Sequence, residues 1–203
     1  MANTAIGEIG VHVDGQSYTL RPSLYNLQQI GTPEDIAETV QLVISAKCRM
    51  LEGLPPVMHE LYACEKVICC CSDKEFPAGI FGKPEVQQLP SGLSETVWID
   101  GAETFEAMVG IAQALMISGI AGEPDADRVK HRSSKSQKPF DPLEYVGVIV
   151  AHLGLGLTDA WQMTMIEFQR AFDAKFPLSE KEKNRMSQDE ARELLVRLGK
   201  LPG

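Results

Sequence analysis

The sequence has few of the features that mark membrane, secreted and nucleic-acid-binding proteins. No uninterrupted apolar run approaches the ~18 residues that suggest a membrane span, and residues 1–10 lack the basic and apolar regions of a signal peptide. The chain has 19 basic and 28 acidic side chains, a net charge of −9. A general nucleic-acid binder needs clustered Lys and Arg to contact phosphates. We therefore expect a cytoplasmic protein that binds neither membrane nor nucleic acid and whose cysteines are reduced.

Catalytic patterns are missing as well. The four histidines are not at metal-ligand spacing from one another, and none adjoins a serine or cysteine nucleophile motif (His12, His59, His131, His152). Gly154-Leu155-Gly156 lacks the third glycine and the preceding strand of a phosphate-binding loop, so a helix end is the better interpretation. The carboxylates are scattered over amphipathic stretches. We expect a protein without catalytic residues, metal or cofactor.

The cysteines raise the question of a zinc site. Cys64, Cys69, Cys70 and Cys71 lie close together in the sequence, but structural zinc needs ligand pairs on reversing turns. Consecutive residues of a helix point about 100° apart and do not converge on one ion. The better prediction is a set of buried apolar thiols.

What remains is the composition of a globular protein. Of the 203 residues, 44% are hydrophobic and 23% are charged. Residues 1–127 contain 18 acidic and 6 basic side chains, whereas residues 128–203 contain 10 acidic and 13 basic. This uneven distribution of charge would suit two halves that bind different partners or bind each other. An imbalance of surface charge without functional consequence is the alternative interpretation.

The first half predicts a β-hairpin followed by helices. Apolar residues alternate on both sides of Asp14-Gly15, a dipeptide typical of tight hairpin turns. A short helix should follow Pro22 and end at Gly31. Thr32, Pro33 and Asp35 then predict a capped helix, and a further helix should reach about Cys71. The apolar face predicted for the capped helix consists of Ile36, Val40, Val43, Ile44, Cys48 and Leu51.

Residues 72–100 contain prolines and glycines at intervals that forbid a long helix, and we expect an irregular loop there. Helix should resume over 102–120. Residues 122–139 are polar and basic and contain no aromatic side chain, which predicts a flexible linker. The last third predicts helices over 142–153, 159–175 and 188–198. Within the second of these, Thr164 and Glu167 form a capping box at which the helix could begin again.

The predicted fold class is therefore mainly α, with a short N-terminal β-hairpin followed by a helical bundle and a helical C-terminal subdomain. The predicted organisation is a domain over residues 1–121 that includes the loop 72–100, a basic linker over 122–139, and a subdomain over 140–203.

Two segments resemble a known family. Trp161-Gln162-Met163-Thr164-Met165-Ile166-Glu167-Phe168, just after the Leu-Gly-Leu turn at 153–155, resembles the C-terminal motif of tail assembly chaperones of bacteriophages with long non-contractile tails. The hairpin that ends in Tyr18-Thr19-Leu20-Arg21-Pro22-Ser23-Leu24 is similar to their N-terminus. The resemblance covers roughly residues 5–50 and 140–178. In that family the two parts are typically made from overlapping reading frames, whereas one chain carries both here.

The resemblance implies a non-enzymatic function. Such chaperones coat the tape measure protein, keep its helices soluble and recruit tail tube subunits in the host cytoplasm. The implied partners are the tape measure and tail tube proteins, with self-association left open. The implied partner-binding residues are Trp161, Met163, Thr164, Met165, Glu167 and Phe168. Two alternatives remain: a structural tail-tip or connector protein of the virion, and a small helix-turn-helix regulatory protein.

Limited proteolysis tests the predicted linker. Because an exposed polar segment is cut more readily than a packed helix, trypsin should cleave first at Arg128, Lys130, Arg132 or Lys135 and leave two folded fragments. Mass spectrometry of the early fragments identifies the sites. Early cleavage inside 36–70 or 143–175 would contradict the linker and the division into two parts.

Overall fold

The computed structural model describes residues 2–13, 15–88, 93–122 and 138–177. Helix accounts for 56% of these residues and strand for 16%. The strands form two separate antiparallel sheets of two strands each, and the second sheet lies between helices in the sequence. The prediction of a mainly α fold is therefore wrong, and the fold is mixed α and β.

The N-terminal hairpin is confirmed. After a 3₁₀ turn at Thr4–Ile6, strand β1 (Ile9–Val13) pairs with β2 (Gln16–Leu20) in antiparallel register, with Ile9 opposite Leu20. Gly15 has a φ of 74°, a left-handed value that favours glycine in a tight turn. Leu20, at the end of β2, is fully buried.

Helices α1 (Leu24–Gln28) and α2 (Pro33–Leu51) follow as predicted. The Thr32 side chain accepts a hydrogen bond from the Asp35 amide, and the Asp35 carboxylate accepts one from the Thr32 amide. Together they form the capping box of α2. The pKa of the Asp35 carboxyl is lowered by the hydrogen bonds that the carboxylate accepts, first from the Thr32 amide and then from the Thr32 hydroxyl.

The predicted apolar face of α2 is only partly correct. The buried side chains are Ile36, Thr39, Val43 and Ala46, whereas Ile44 is 46% exposed and Cys48 and Leu51 are also exposed. Thr39 tolerates burial because its hydroxyl donates to the Asp35 carbonyl oxygen at 2.8 Å. The buried stripe therefore runs through two small side chains that a count of large apolar residues overlooks.

Helix α3 (Met58–Cys71) packs against α2. The buried Glu60 carboxylate accepts hydrogen bonds from the Val57 amide at 2.8 Å and from the Ser45 hydroxyl at 2.5 Å. All five cysteines are free. Cys64 and Cys71 are buried as predicted, Cys70 is half-buried, and Cys48 and Cys69 are exposed. Burial, with a smaller contribution from Glu60, raises the pKa of the Cys64 thiol to about 12.

The loop predicted over 72–100 is wrong in its second half. Strands β3 (Lys83–Gln88) and β4 (Ser94–Ile99) pair in antiparallel register, with Pro84 opposite Trp98. All six residues of β3 are exposed. The strand therefore has no buried face, and its sequence lacks the alternation of apolar and polar residues that predicts a strand. The base of the hairpin is fixed to the body, because the Trp98 indole N–H donates to the Phe81 carbonyl oxygen at 2.9 Å.

The remaining helices are α4 (Phe105–Met116), α5 (Pro142–Val148), α6 (Leu157–Gln162) and α7 (Met165–Lys175). A π-helical turn extends α4 over Ile117–Ala121 and another extends α5 over Ile149–Leu153. The helix predicted over 159–175 is therefore two helices. Most of the predicted linker 122–139 (residues 123–137) and the helix predicted over 188–198 lie outside the described residues.

Two hydrophobic clusters form the core. The larger contains residues of the N-terminal hairpin and of α1 to α4, together with Ile80 and Phe81. The smaller combines Leu24 of α1 with four residues of the last third of the chain, Val146, Ile149, Ala160 and Met165. Helix α1 therefore contributes to both clusters. The predicted domain boundaries stay a prediction.

No helix within the described ranges is both long and apolar enough to cross a membrane.

Two isoleucines of α2 provide a matched test of the face that α2 buries. Ile36→Ala should lower the free energy of unfolding by about 2–5 kcal/mol because it removes a fully buried side chain. Ile44→Ala should change it by less than about 0.5 kcal/mol because that side chain is half exposed. Urea denaturation followed by circular dichroism measures both, and equal losses would contradict this orientation of α2.

Candidate partner-binding site

The two segments that carry the family resemblance are in direct contact. Ser23 and Thr164 form an isolated antiparallel β-bridge, and the Leu24 amide donates to the Met163 carbonyl oxygen at 2.9 Å. Residues about 140 positions apart in the sequence thus share backbone hydrogen bonds. We call this contact the α1–α7 joint, comprising Arg21 to Leu24 and Gln162 to Glu167.

Arg21 supplies most of the polar contacts of the joint. Its Nη1 donates to Glu8 Oε1 at 2.6 Å and its Nη2 donates to Glu167 Oε2 at 2.8 Å. Its Nε and Nη2 both donate to the Gln162 carbonyl oxygen, at 3.2 and 3.0 Å. The Arg21 side chain is only 29% exposed, and Glu8 is 11% exposed. A charge-assisted network in this partly buried position is worth more than a pair on the open surface.

Thr164 and Glu167 explain why the last helix begins where it does. The Thr164 side chain accepts from the Glu167 amide at 3.3 Å, and Glu167 Oε2 accepts from the Thr164 amide at 2.8 Å. The predicted capping box is therefore confirmed. Because Glu167 Oε2 also accepts from Arg21, one carboxylate oxygen both caps α7 and attaches it to the N-terminal segment.

The six residues implied by the resemblance have different environments. Thr164 and Met165 are buried, and Glu167 is occupied by the contacts just described. Trp161, Met163 and Phe168 are half-buried and pack against the smaller core cluster. Buried side chains cannot touch a partner without rearrangement. Trp161, Met163 and Phe168 thus remain as residues that a partner could contact, and this role stays a prediction.

Tyr25 is a surface residue directly beside the joint that the sequence analysis did not single out. Its side chain is 48% exposed, and its ring meets that of Trp161 edge to face at a centroid distance of 6.5 Å. It directly follows the stretch Tyr18 to Leu24 within the N-terminal part of the resemblance, which is the one sequence feature that could have drawn attention to it. Tyr25, Trp161 and Met163 form what we call the joint surface.

Phe168 lies in a different arrangement. It belongs to a row of rings, each within 6 Å of the next between centroids, that runs through Phe140, Tyr145, Phe168, Phe172 and Phe176. This row joins α5 to α7, so Phe168 holds the two helices together rather than extending the joint surface. A neighbouring side of α7 is fixed by Gln169, whose side-chain amide donates to the Ala121 carbonyl oxygen at 2.8 Å.

Within the described part of the chain, no group of three or more His, Cys, Asp or Glu side chains is arranged to hold a metal ion. Burial also raises the pKa values of Cys64, Cys70 and Cys71 above the ordinary thiol value, and partial desolvation raises that of the more exposed Cys69. A raised pKa reduces the fraction of thiolate, the form that attacks electrophiles and binds metals.

Comparison with known proteins identifies one family. A family of unknown function, DUF6246, matches residues 20–191. This range is well over half of the chain, and the chain belongs to that family. The match includes both sides of the α1–α7 joint and leaves out Glu8 and strand β1. No curated protein and no solved structure matches the chain.

Removing the Arg21 guanidinium tests whether it holds the joint. Arg21→Ala should lower the free energy of unfolding by roughly 1.5–3 kcal/mol, because two partly buried carboxylates and a carbonyl oxygen lose a charged donor. Lys83→Ala, which removes an exposed ion pair with Glu85, should cost no more than about 1 kcal/mol. Urea denaturation measures both, and a similar small loss in the two variants would contradict a structural role for Arg21.

Proposed function

We propose that this member of DUF6246 is a non-enzymatic tail assembly chaperone of a tailed bacteriophage. It would bind the tape measure protein and recruit tail tube subunits in the host cytoplasm. The observation that supports this proposal is the α1–α7 joint. The two segments that resemble such chaperones are far apart in the sequence, yet they contact each other through Arg21, Leu24, Met163 and Glu167.

The joint surface has the composition expected for binding apolar helices. Tyr and Trp offer large apolar area together with a polar group, and the flexible thioether of Met163 adapts to varied shapes. A chaperone that coats a long helical protein has to accept many different segments of it, which favours adaptable contacts. Thr164, Met165 and Glu167 then act as positioning residues that fix Trp161 and Met163 beside Tyr25.

Two other functions predict different observations. A structural tail-tip or connector protein would be present in purified virions, whereas a chaperone leaves the finished tail. A helix-turn-helix regulator would need basic side chains on α6 and α7, where Arg170 and Lys175 are accompanied by Asp159, Glu167 and Asp173. This local balance of charge disfavours binding to DNA phosphates. Mass spectrometry of purified particles distinguishes the chaperone from the structural protein.

Substitutions at the joint surface test the proposal. Tyr25→Ala and Trp161→Ala should each weaken co-purification with the tape measure protein from infected cells by roughly thirtyfold, about 2 kcal/mol, as expected for aromatic residues that dominate an interface. Tyr25→Ala should cost less than about 1 kcal/mol of stability because the side chain is half exposed. Quantitative mass spectrometry of the captured proteins gives the readout.

Trp98→Ala is the matched control. Trp98 is the only other tryptophan, it is also half-buried, and it lies in the β3–β4 hairpin away from the joint. The Trp98→Ala substitution should leave binding of the tape measure protein unchanged. A folded Tyr25→Ala or Trp161→Ala protein that still captures both tail partners normally would remove the joint surface from the function.

A further inference from the structure

Helix α2 has a second apolar side, which the described residues leave uncovered. Val43 and Ala46 face the core, whereas a row of apolar side chains on another side of the helix reaches solvent. The row, which we call the α2 stripe, consists of Val40, Ile44, Cys48 and Leu51. Its spacing of four, four and three residues keeps these side chains on one side of a helix. Exposure along the stripe is 46% at Ile44 and 76% at Leu51.

The stripe runs between two hollows in the surface. At its N-terminal end a cavity of about 510 Å³ lies between α2, the π-helical turn after α4 and the start of α5. Near its C-terminal end a cavity of about 350 Å³ lies beside Leu54 and Phe105. Val40 and Leu51 are eleven residues apart, about 16 Å along a helix. The stripe and its two hollows therefore have the form of a groove that accepts a short helix. The larger cavity is lined in part by Ala37, Val40, Gln41, Ile120, Phe140 and Tyr145.

Residues 178–203 supply an amphipathic sequence of matching length. The helix predicted over 188–198 begins with a capping box of Ser187 and Glu190, and eleven residues of helix span about 16 Å. The other long stretch outside the described residues, 123–137, has only Ala126 and Val129 as aliphatic side chains and so offers no apolar side. The apolar side of the predicted helix consists of Ala191, Leu194, Leu195 and Leu198.

The chain is long enough for this helix to reach the stripe. The row of aromatic rings runs from Phe140, which lines the larger cavity, to Phe176 just after α7. Its four steps are each shorter than 6 Å, so the two end rings lie less than about 24 Å apart. Residues 177–187 separate Phe176 from the predicted helix, and an extended chain of eleven residues spans about 36–40 Å. No rearrangement of α7 is required.

The charges beside the stripe complement those of the predicted helix. One border of the stripe is acidic, with exposed carboxylates at Glu34, Glu38 and Glu52. In the predicted helix, Arg192 and Arg197 lie on opposite borders of the apolar side. One of these two arginines therefore lies beside the glutamates whichever way the helix runs. Opposite charges around an apolar contact favour the correct partner over others.

We propose that residues 188–198 form a helix that binds the α2 stripe of the same chain, with its apolar side against Val40, Ile44 and Leu51. Because residues 177–187 tether the helix, binding is intramolecular, and a small contact area is sufficient. The contact opens locally, without unfolding of the core. This proposal is independent of the chaperone function. It means that the chain covers its own groove, which any other helix can enter only after residues 188–198 have left it.

Alkylation of Cys48 in the full-length chain tests the proposal, because this thiol belongs to the stripe. Leu194→Glu combined with Leu198→Glu places two charges on the apolar side of the helix. The double variant should react with N-ethylmaleimide at Cys48 at least roughly tenfold faster, as expected if the helix covers the stripe in about nine of ten molecules. Mass spectrometry after digestion measures the rate. Equal rates in the original protein and the double variant would overturn the proposal.

An internal thiol and a matched variant serve as controls. Cys69 is also exposed but lies on α3, outside the stripe, and its rate should not change. Val196→Glu introduces a charge on the opposite side of the predicted helix and should leave the Cys48 rate as it is. A rise in Val196→Glu as large as that in the double variant would contradict binding through the apolar side. Circular dichroism and melting temperature should be the same in all three proteins.

A crosslink identifies what covers the stripe. Arg197→Cys places a thiol at the border of the apolar side, and a short bismaleimide should join it to Cys48 within one chain. A crosslinked product of twice the chain mass would show that a second copy supplies the helix, and would refute the intramolecular contact. Protection of Cys48 that is present in a cell extract and absent from the purified protein would assign the stripe to another protein and refute it as well.

Discussion

The contact between Arg21 and its three acceptors is the interaction on which the rest of the structure depends. The side chain reaches Glu8 before the first strand, the Gln162 carbonyl oxygen at the end of α6, and Glu167 in the first turn of α7. Its own amide donates to the Cys71 carbonyl oxygen at the end of α3. One residue therefore fixes the N-terminal hairpin, α3 and the last two helices relative to each other. A lysine could not replace it, because a single ammonium lacks the planar set of donors that these directions require.

Helix α1 extends this coupling into the apolar core. Leu27 belongs to the larger cluster and Leu24, one turn earlier, to the smaller. Gly119 lies against this helix so closely that an added Cβ would come within 2.9 Å of Leu27 and Pro22. A five-residue helix is too short to be stable by itself. The packing of the two clusters on either side sets the position of α1. A substitution that shifts α1 in one cluster should therefore change the packing of the other.

Turns and helix caps can be predicted from the sequence, because each depends on residues only a few positions apart. The N-terminal hairpin and the two capped helix starts form as expected, because Gly15 and the Thr32–Asp35 and Thr164–Glu167 boxes each act on the backbone beside them. The β3–β4 hairpin was missed because β3 is exposed throughout and contains Pro84, so neither alternation nor composition indicates a strand. The face of α2 was misassigned because burial of Thr39 depends on a hydrogen bond within the helix. Nothing local could show that Arg21 meets Glu167, since their contact joins positions 146 residues apart.

The same separation has a consequence for synthesis on the ribosome. Chains elongate at roughly 5–20 residues per second, so about 7–30 s pass between the synthesis of Arg21 and that of Glu167. During that interval the hairpin and α1 to α4 can fold, since every residue of the larger cluster except Phe140 at its edge precedes residue 121. During this time Leu24 and the Arg21 guanidinium lack their contacts with the C-terminal helices. The nascent chain thus exposes the apolar side chain of Leu24 until α5, α6 and α7 have been synthesised and cover it.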